Sequence, residues 1–305
     1  MEQVVNDLLS LSTGMMIGTT PGATHMSPNQ PAPVLHGSCL CGTVTYQVSG
    51  PFNMMVHCHC SMCRKHHGAA FATFVGAPLM GFKWLSGEDR IVSYASSEKG
   101  RRDHCGQCGS VTPTLLKEMD LALVPAGNLD GDPGIRPQGH VFVGSKAPWY
   151  KITDDLPQHE EFPPEFDAGG VERPVVESRE GVVLGSCLCN SITYEITGKP
   201  LRSANCHCSR CRRARSAAHA SNLFYKLEDF RFTRQDAAIG DYRVPEARFF
   251  GVSWCTKCGA AVPRVSRERN AVVVPAGPLD TDPGLQPAMH IYVGNKACWF
   301  EITDT

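Results

Sequence analysis

No run among the 305 residues approaches the roughly 18–20 consecutive apolar side chains that a membrane-spanning helix needs. The first 33 residues hold neither Lys nor Arg, and Glu2 and Asp7 stand where a secretory signal would be basic. Neither a signal peptide nor a mitochondrial presequence is therefore expected there. Charge of one sign is also missing. A formal net charge of −1 and a pI near 6.8 give no electrostatic reason for binding nucleic acid or an anionic membrane. No Ser-His-Asp signature, phosphate-binding glycine loop or dinucleotide fingerprint offers a rival chemistry.

Cysteine is what the chain has in plenty, and it is patterned. Fourteen of the 15 cysteines form two copies of one arrangement. The first is Cys39-x-Cys41, Cys58-x-Cys60-x-x-Cys63 and Cys105-x-x-Cys108; the second is Cys187-x-Cys189, Cys206-x-Cys208-x-x-Cys211 and Cys255-x-x-Cys258. The three blocks are displaced by 148, 148 and 150 residues, so one unit is duplicated with its internal spacing kept. So many thiols without a secretion signal point to a reducing, cytoplasmic setting and to metal rather than disulfides.

The repeat extends beyond cysteine. Gly37-Ser-Cys-Leu-Cys-Gly-Thr-Val-Thr-Tyr46 returns as Gly185-Ser-Cys-Leu-Cys-Asn-Ser-Ile-Thr-Tyr194, and Trp149-Tyr-Lys-Ile-Thr-Asp154 as Trp299-Phe-Glu-Ile-Thr-Asp304. The organisation expected is a flexible tail over 1–34, a first domain over 35–154, a Pro/Glu/Gly-rich linker over 155–182 and a second domain over 183–305. Short β-branched or aromatic stretches bounded by Gly and Pro, such as 43–48, 71–75, 120–124, 191–196 and 271–274, predict mainly β units. A helical turn is expected only after Cys60 and after Cys208.

A structural zinc takes four ligands in a tetrahedron, often as two short cysteine pairs on separate loops. Cys39, Cys41, Cys105 and Cys108 supply such pairs, as do Cys187, Cys189, Cys255 and Cys258, and binding of this kind is worth on the order of 10 kcal/mol. Cys58, Cys60 and Cys63 remain, with Cys206, Cys208 and Cys211 in the second copy. Three ligands and one open position is the pattern of a zinc that does chemistry, where water or a thiol can enter and be activated. The alternative is a closed site, its fourth ligand drawn from His57, His59, His66, His67 or His207. Two zinc ions per domain and up to four per chain are expected.

With Cys58-His-Cys-Ser-Met-Cys-Arg-Lys65, Gly68-Ala-Ala-Phe71, Cys105-Gly-Gln-Cys-Gly109 and Ser145-Lys-Ala-Pro-Trp149, both units resemble the family of glutathione-dependent formaldehyde-activating enzymes, which shares its domain with centromere protein V. The resemblance implies a small zinc-bound β-tent fold with one four-cysteine and one three-cysteine zinc, and two such domains suggest packing as an internal pseudo-dimer. It implies a carbon–sulfur lyase-type reaction, the joining of formaldehyde to glutathione as S-hydroxymethylglutathione. Cys58, Cys60 and Cys63 are then the catalytic group, with glutathione a possible co-substrate and a small molecule the expected partner. A zinc lyase or isomerase working on a larger metabolite without glutathione, and a zinc-stabilised protein-binding module, are the competing functions.

The second copy has drifted: His57, His67, Gly68, Phe71 and His104 become Asn205, Arg215, Ser216, His219 and Trp254. Arg210, Arg212, Arg213 and Arg215, like Arg64 and Lys65, read as a solvated basic face offsetting three thiolates, or as an anion pocket. His140 and His290 read as half-buried structural residues or as proton shuttles. Asp130, Asp132, Asp280 and Asp282 read as turn formers. The odd cysteine, Cys298, aligned with Pro148, is expected to be buried.

Overall fold

The computed structural model describes residues 34–98, 100–162 and 176–304. Most of the expected tail and the middle of the expected linker lie outside them. Period-2 patterning builds the strands, as in Thr45–Ser49, where Tyr46 and Val48 turn inward between half-exposed polar neighbours. The first half runs β1 (Val34–Ser38), β2 (Thr45–Ser49), β3 (Met54–Cys58), α1 (Ser61–His67), β4 (Ala72–Pro78), β5 (Phe82–Ser86), β6 (Ile91–Ala95), β7 (Arg101–Cys105), β8 (Thr114–Leu116), β9 (Leu121–Pro125) and β10 (His140–Val141). These pair as a three-stranded sheet β1-β2-β5, a five-stranded sheet β10-β3-β4-β9-β8 and a ribbon β6-β7. All neighbours are antiparallel except β10, which runs parallel to β3.

The second half repeats the order as β11 (Val183–Ser186), β12 (Ile192–Ile196), β13 (Arg202–Cys206), α2 (Ser209–Arg215), β14 (Ala220–Lys226), β15 (Phe230–Gln235), β16 (Ile239–Arg243), β17 (Gly251–Cys255), β18 (Ala261–Val262), β19 (Arg264–Ser266), β20 (Ala271–Pro275) and β21 (His290–Ile291). Its sheets are β11-β12-β15, β19-β20-β14-β13-β21 and β16-β17-β18. The architecture is mostly β, as the patterning predicts, and no described helix is long and apolar enough to cross a membrane. Each expected helical turn is a seven-residue helix, capped at its N-terminus by a cysteine sulfur and closed by a left-handed residue, Gly68 or Ser216.

One contiguous apolar cluster joins residues of both halves, among them Tyr46, Val48, Phe71, Val124 and Trp149 with Tyr194, Ile196, Leu223, Val274 and Trp299. Polar contacts between the halves are reciprocal. Lys65 reaches Ser186 Oγ and Asp280, both at 2.5 Å, while Arg213 reaches Ser38 Oγ and Asp130. A Cβ on Gly277 would strike Arg64 O and Ala69, and one on Gly127 would strike Ala217, so glycine is required where each helix end meets the other half.

These contacts correct the reading of the basic cluster. Arg64, Lys65 and Arg215 are buried, and Arg64 donates to Gly277 O at 3.1 Å. Arg64 and Lys65 are neither a solvated face nor an anion pocket, because the other half supplies acceptors to both; Arg215 is buried with its Nε unpartnered, and Arg210 is exposed. Asp132 and Asp282 do form turns, accepting from Gly134 and Gly284 at 2.9 Å. Asp130 and Asp280 carry the cross-half ion pairs instead. Cys298 is exposed, contrary to expectation: Ala297 and Trp299 on either side point inward, which leaves the residue between them facing out.

The segment after Asp154 does not leave the first half at once. His140 N donates to Pro157 O at 2.8 Å, Val143 N to His159 O at 3.0 Å and Phe142 N to Glu161 O at 3.1 Å. The Phe142 and Phe162 rings meet at 4.6 Å.

The two ion pairs are equivalent in position but not in burial: Lys65 and Asp280 are 10% and 9% exposed, Arg213 and Asp130 25% and 45%. Removing one partner of a buried pair strands the other charge and costs about 3 kcal/mol, whereas exposed pairs are worth roughly 0.2–1 kcal/mol. Urea denaturation should show Asp280→Ala destabilised by about 3 kcal/mol and Asp130→Ala by no more than about 1 kcal/mol; equal losses would contradict this account.

Candidate metal centres

The hairpin between β1 and β2 carries Cys39 and Cys41, while Cys105 ends β7 and Cys108 lies in the turn that follows. The Cys39 and Cys41 sulfurs are 3.4 Å apart and Cys41 and Cys105 are 3.8 Å apart. In the second half Cys187–Cys189 and Cys189–Cys255 measure 3.5 and 3.8 Å. Four sulfurs at 2.3 Å from a tetrahedral zinc would be separated by about 3.8 Å, so both sets fit the ion. Backbone amides support them: Val44 N donates to Cys39 Sγ at 3.3 Å and Ile192 N to Cys187 Sγ at 3.2 Å.

The three-cysteine groups lie at the strand-to-helix junctions. Cys58 ends β3, Cys60 caps α1 and Cys63 sits in its first turn, with Cys63 N donating to Cys60 Sγ at 3.3 Å. Cys206, Cys208 and Cys211 repeat this. In each group the sulfurs lie within 4.8 Å of one another, and among the described residues no His, Asp or Glu joins them. Hydrogen bonds from Cys58 and Cys63 hold the Cys60 thiol well below its usual range, and those from Cys206 and Cys211 hold Cys208 down to about 2. Each group therefore favours a thiolate, the species that binds metal.

None of the histidines considered as a fourth ligand joins the sulfurs, and each has another partner on at least one ring nitrogen. His57 Nδ1 meets Thr73 Oγ1 at 2.8 Å, a contact that Asn205 and Ser221 reproduce at 2.7 Å. His66 Nδ1 meets Cys258 O at 3.1 Å and His67 Nδ1 meets Arg215 O at 2.8 Å, both across the halves. His59 Nε2 lies 2.8 Å from His140 Nδ1, and His140 Nε2 donates to Asp154 at 2.9 Å. His207, His290 and Asp304 form the same series at 2.7 and 2.9 Å. His140 is fully buried rather than half-buried; His290 is half-buried. Since His140 gives its Nε2–H to Asp154, its Nδ1 accepts from His59, which leaves His59 Nδ1 a buried acceptor without a described partner.

A cavity of about 150 Å³ opens beside Cys63, bordered by His66, His67, Gly100, Arg102 and Thr112 among others. Burial alone would lower the Arg102 pKa, but the charges of Cys63, Cys60 and Cys58 outweigh it and raise it. The second half differs at these positions. Phe250, Val252 and Val262 stand where the first has Gly100, Arg102 and Thr112, and Phe250 packs against the Cys206 and Cys211 cluster. Neither Arg102 nor Thr112 is singled out by a motif. Their signal is the difference between the repeats, visible only once the cavity shows which differences matter.

A mostly β protein built from two copies of one cysteine framework, with four candidate metal sites, is thus defined by its fold and geometry. The profile of the family described as glutathione-dependent formaldehyde-activating enzyme matches residues 34–145 and 182–295, and the chain belongs to that family. A crystal structure of a Rhodobacter sphaeroides protein aligns at 24% identity with a TM-score of 0.27, over 32% of this chain and 89% of that one. No curated protein matches.

Elemental analysis should find close to four zinc per chain. Cys39→Ser should unfold the first half. Cys60→Ser should keep the fold, since serine is itself a good helix cap, while losing one zinc; equal unfolding by both would refute the division. Burial also holds His67 and His104 down to about 4. An unfolded histidine titrates near 6.5, so between 6.5 and 4 the unfolded chain takes up protons that the fold refuses, and stability falls as pH drops through that window. Each such histidine contributes up to ~1.4 kcal/mol per pH unit. Thermal midpoints measured from pH 7.5 to 5.5 should decline, less steeply in His104→Gln, and a flat profile would contradict the assignment.

Proposed function

We propose that the protein is a zinc-dependent carbon–sulfur lyase-type enzyme acting on thiol–aldehyde adducts, with Cys58, Cys60 and Cys63 as its working centre. The observation that carries this reading is the cavity at Cys63, which puts open space beside a group of three mutually close sulfurs. Zinc bound there would act as a Lewis acid on a carbonyl oxygen and lower the pKa of an entering thiol.

The chain's own residues provide the setting. The helix cap fixes the spacing of Cys60 and Cys63, Arg102 places positive charge beside three sulfurs, and buried His66 and His67 line the cavity in neutral form. Cys39, Cys41, Cys105 and Cys108, with Cys187, Cys189, Cys255 and Cys258, are proposed as structural zinc ligands, and Cys206, Cys208 and Cys211 as a fourth site.

Domains over 35–154 and 183–305, each a β-tent, packed as an internal pseudo-dimer, complete the proposal. The reciprocal Lys65–Asp280 and Arg213–Asp130 contacts support that packing. A reducing, cytoplasmic setting fits fourteen cysteines placed for metal.

A zinc lyase or isomerase working on a larger metabolite without glutathione is the second reading, and a cavity of about 150 Å³ fits it only with most of such a substrate held outside. Ligand pockets of typical size hold roughly 300–1,000 Å³, so only a substrate's reacting end enters here. Exchange NMR on formaldehyde with glutathione, and with small thiols, should show acceleration by zinc-loaded protein and none by Cys60→Ser. Failure with every thiol, at full zinc content, would remove the thiol–aldehyde assignment.

A further inference from the structure

Two residues that border the cavity beside Cys63 carry buried donors without a partner. Arg102 gives Nη1 to Arg101 O at 2.9 Å, but its Nε is buried without a partner. Among the described residues it has no carboxylate within ion-pair distance. The side chain of its neighbour Asp103 is already taken on one oxygen by Ser93 and on the other by Thr114 at 3.0 Å. Thr112 is 1% exposed and its hydroxyl likewise lacks a partner. A buried donor left unmatched costs on the order of 1–3 kcal/mol, and a guanidinium beside a hydroxyl is suited to the oxygens of a carboxylate.

Size narrows the choice. A volume of about 150 Å³ holds about five water molecules at roughly 30 Å³ each. Cys63 and Arg102 border this same small space, so a ligand that reaches both must carry its acid group only a few bonds from its reacting atom. Glutathione, with carboxylates at the far ends of its two arms, does not meet that condition; a short mercapto- or oxo-carboxylate does.

The second half has given up both donors. Valines replace Arg102 and Thr112, and Phe250 replaces Gly100 at the cavity border.

We infer that the cavity binds a small carboxylate, carried next to the reacting sulfur or carbonyl, through Arg102 and Thr112. This rests on the proposed function only for the identity of the reacting centre; the anion site stands on its own geometry.

Saturation-transfer NMR on the zinc-loaded full chain with acetate, acetamide, mercaptoacetate and 2-mercaptoacetamide separates the two. Each acid should bind about tenfold more tightly than its amide. Arg102→Met should erase that preference, Arg102→Lys should restore part of it, and Thr112→Val should weaken both acids several-fold. Zinc content, measured on every variant, should stay unchanged. Acids and amides binding alike, no binding of any probe, or a preference that survives Arg102→Met would overturn the inference. If acetate behaves as expected but the mercapto compounds gain nothing over their sulfur-free counterparts, the anion site holds and the thiol-binding role of the Cys58 group fails.

Discussion

Seven residues of helix between Ser61 and His67 carry three duties at once, and the geometry of each constrains the others. The helix begins on a cysteine sulfur, so the cap that starts it is also a candidate metal ligand. Its first turn offers Cys63 to the same group. The residues that follow, Arg64 and Lys65, extend into the other half of the chain and find their acceptors there. His66 and His67 close the turn against Cys258 and Arg215 while bordering the cavity. Moving the helix to improve any one of these contacts would disturb the sulfurs, and the duplicate helix over Ser209–Arg215 is bound by the same rule.

Cysteine spacing made the four clusters legible in the sequence, because a count of ligands in register needs no tertiary information. The strands were legible for a similar reason: Tyr46 and Val48, or Val272 and Val274, alternate with half-exposed neighbours over a few residues. What could not be read locally was which surface of one repeat meets the other. Lys65 and Asp280 are 215 residues apart in the sequence, and each taken alone resembles an ordinary surface charge. Cys298 misled because alignment with Pro148 gives residue type but not side-chain direction; the neighbouring Ala297 and Trp299 settle that. The cavity was invisible for the same reason, since Thr112 comes to the Gly100–Arg102 segment only when the chain turns back on β7, with Val111 bridging to His104 and Thr112 N donating to Asp103 O.

The drift between the copies is coordinated. His57 with Thr73 becomes Asn205 with Ser221, and the hydrogen bond persists. Phe71 becomes His219, and the two rings lie 5.7 Å apart where the halves meet. Around the three-cysteine groups the changes instead alter character, replacing a guanidinium and a hydroxyl with two valines and putting a phenyl ring in place of glycine. Structural contacts were held while the positive charge near the second metal group moved from the Arg102 position to the helix, where Arg215 replaces His67 beside Cys211.

The unequal burial of the two cross-half ion pairs has a dynamic consequence. Local opening draws on the least buried contacts first, and Arg213–Asp130 faces water and its ions while Lys65–Asp280 is largely shielded from them. Raising ionic strength therefore loosens the second helix selectively and leaves the first clamped. The two cross-half contacts thus match in position and not in shielding, and the helix that borders the cavity at Cys63 is the one held by the better shielded pair.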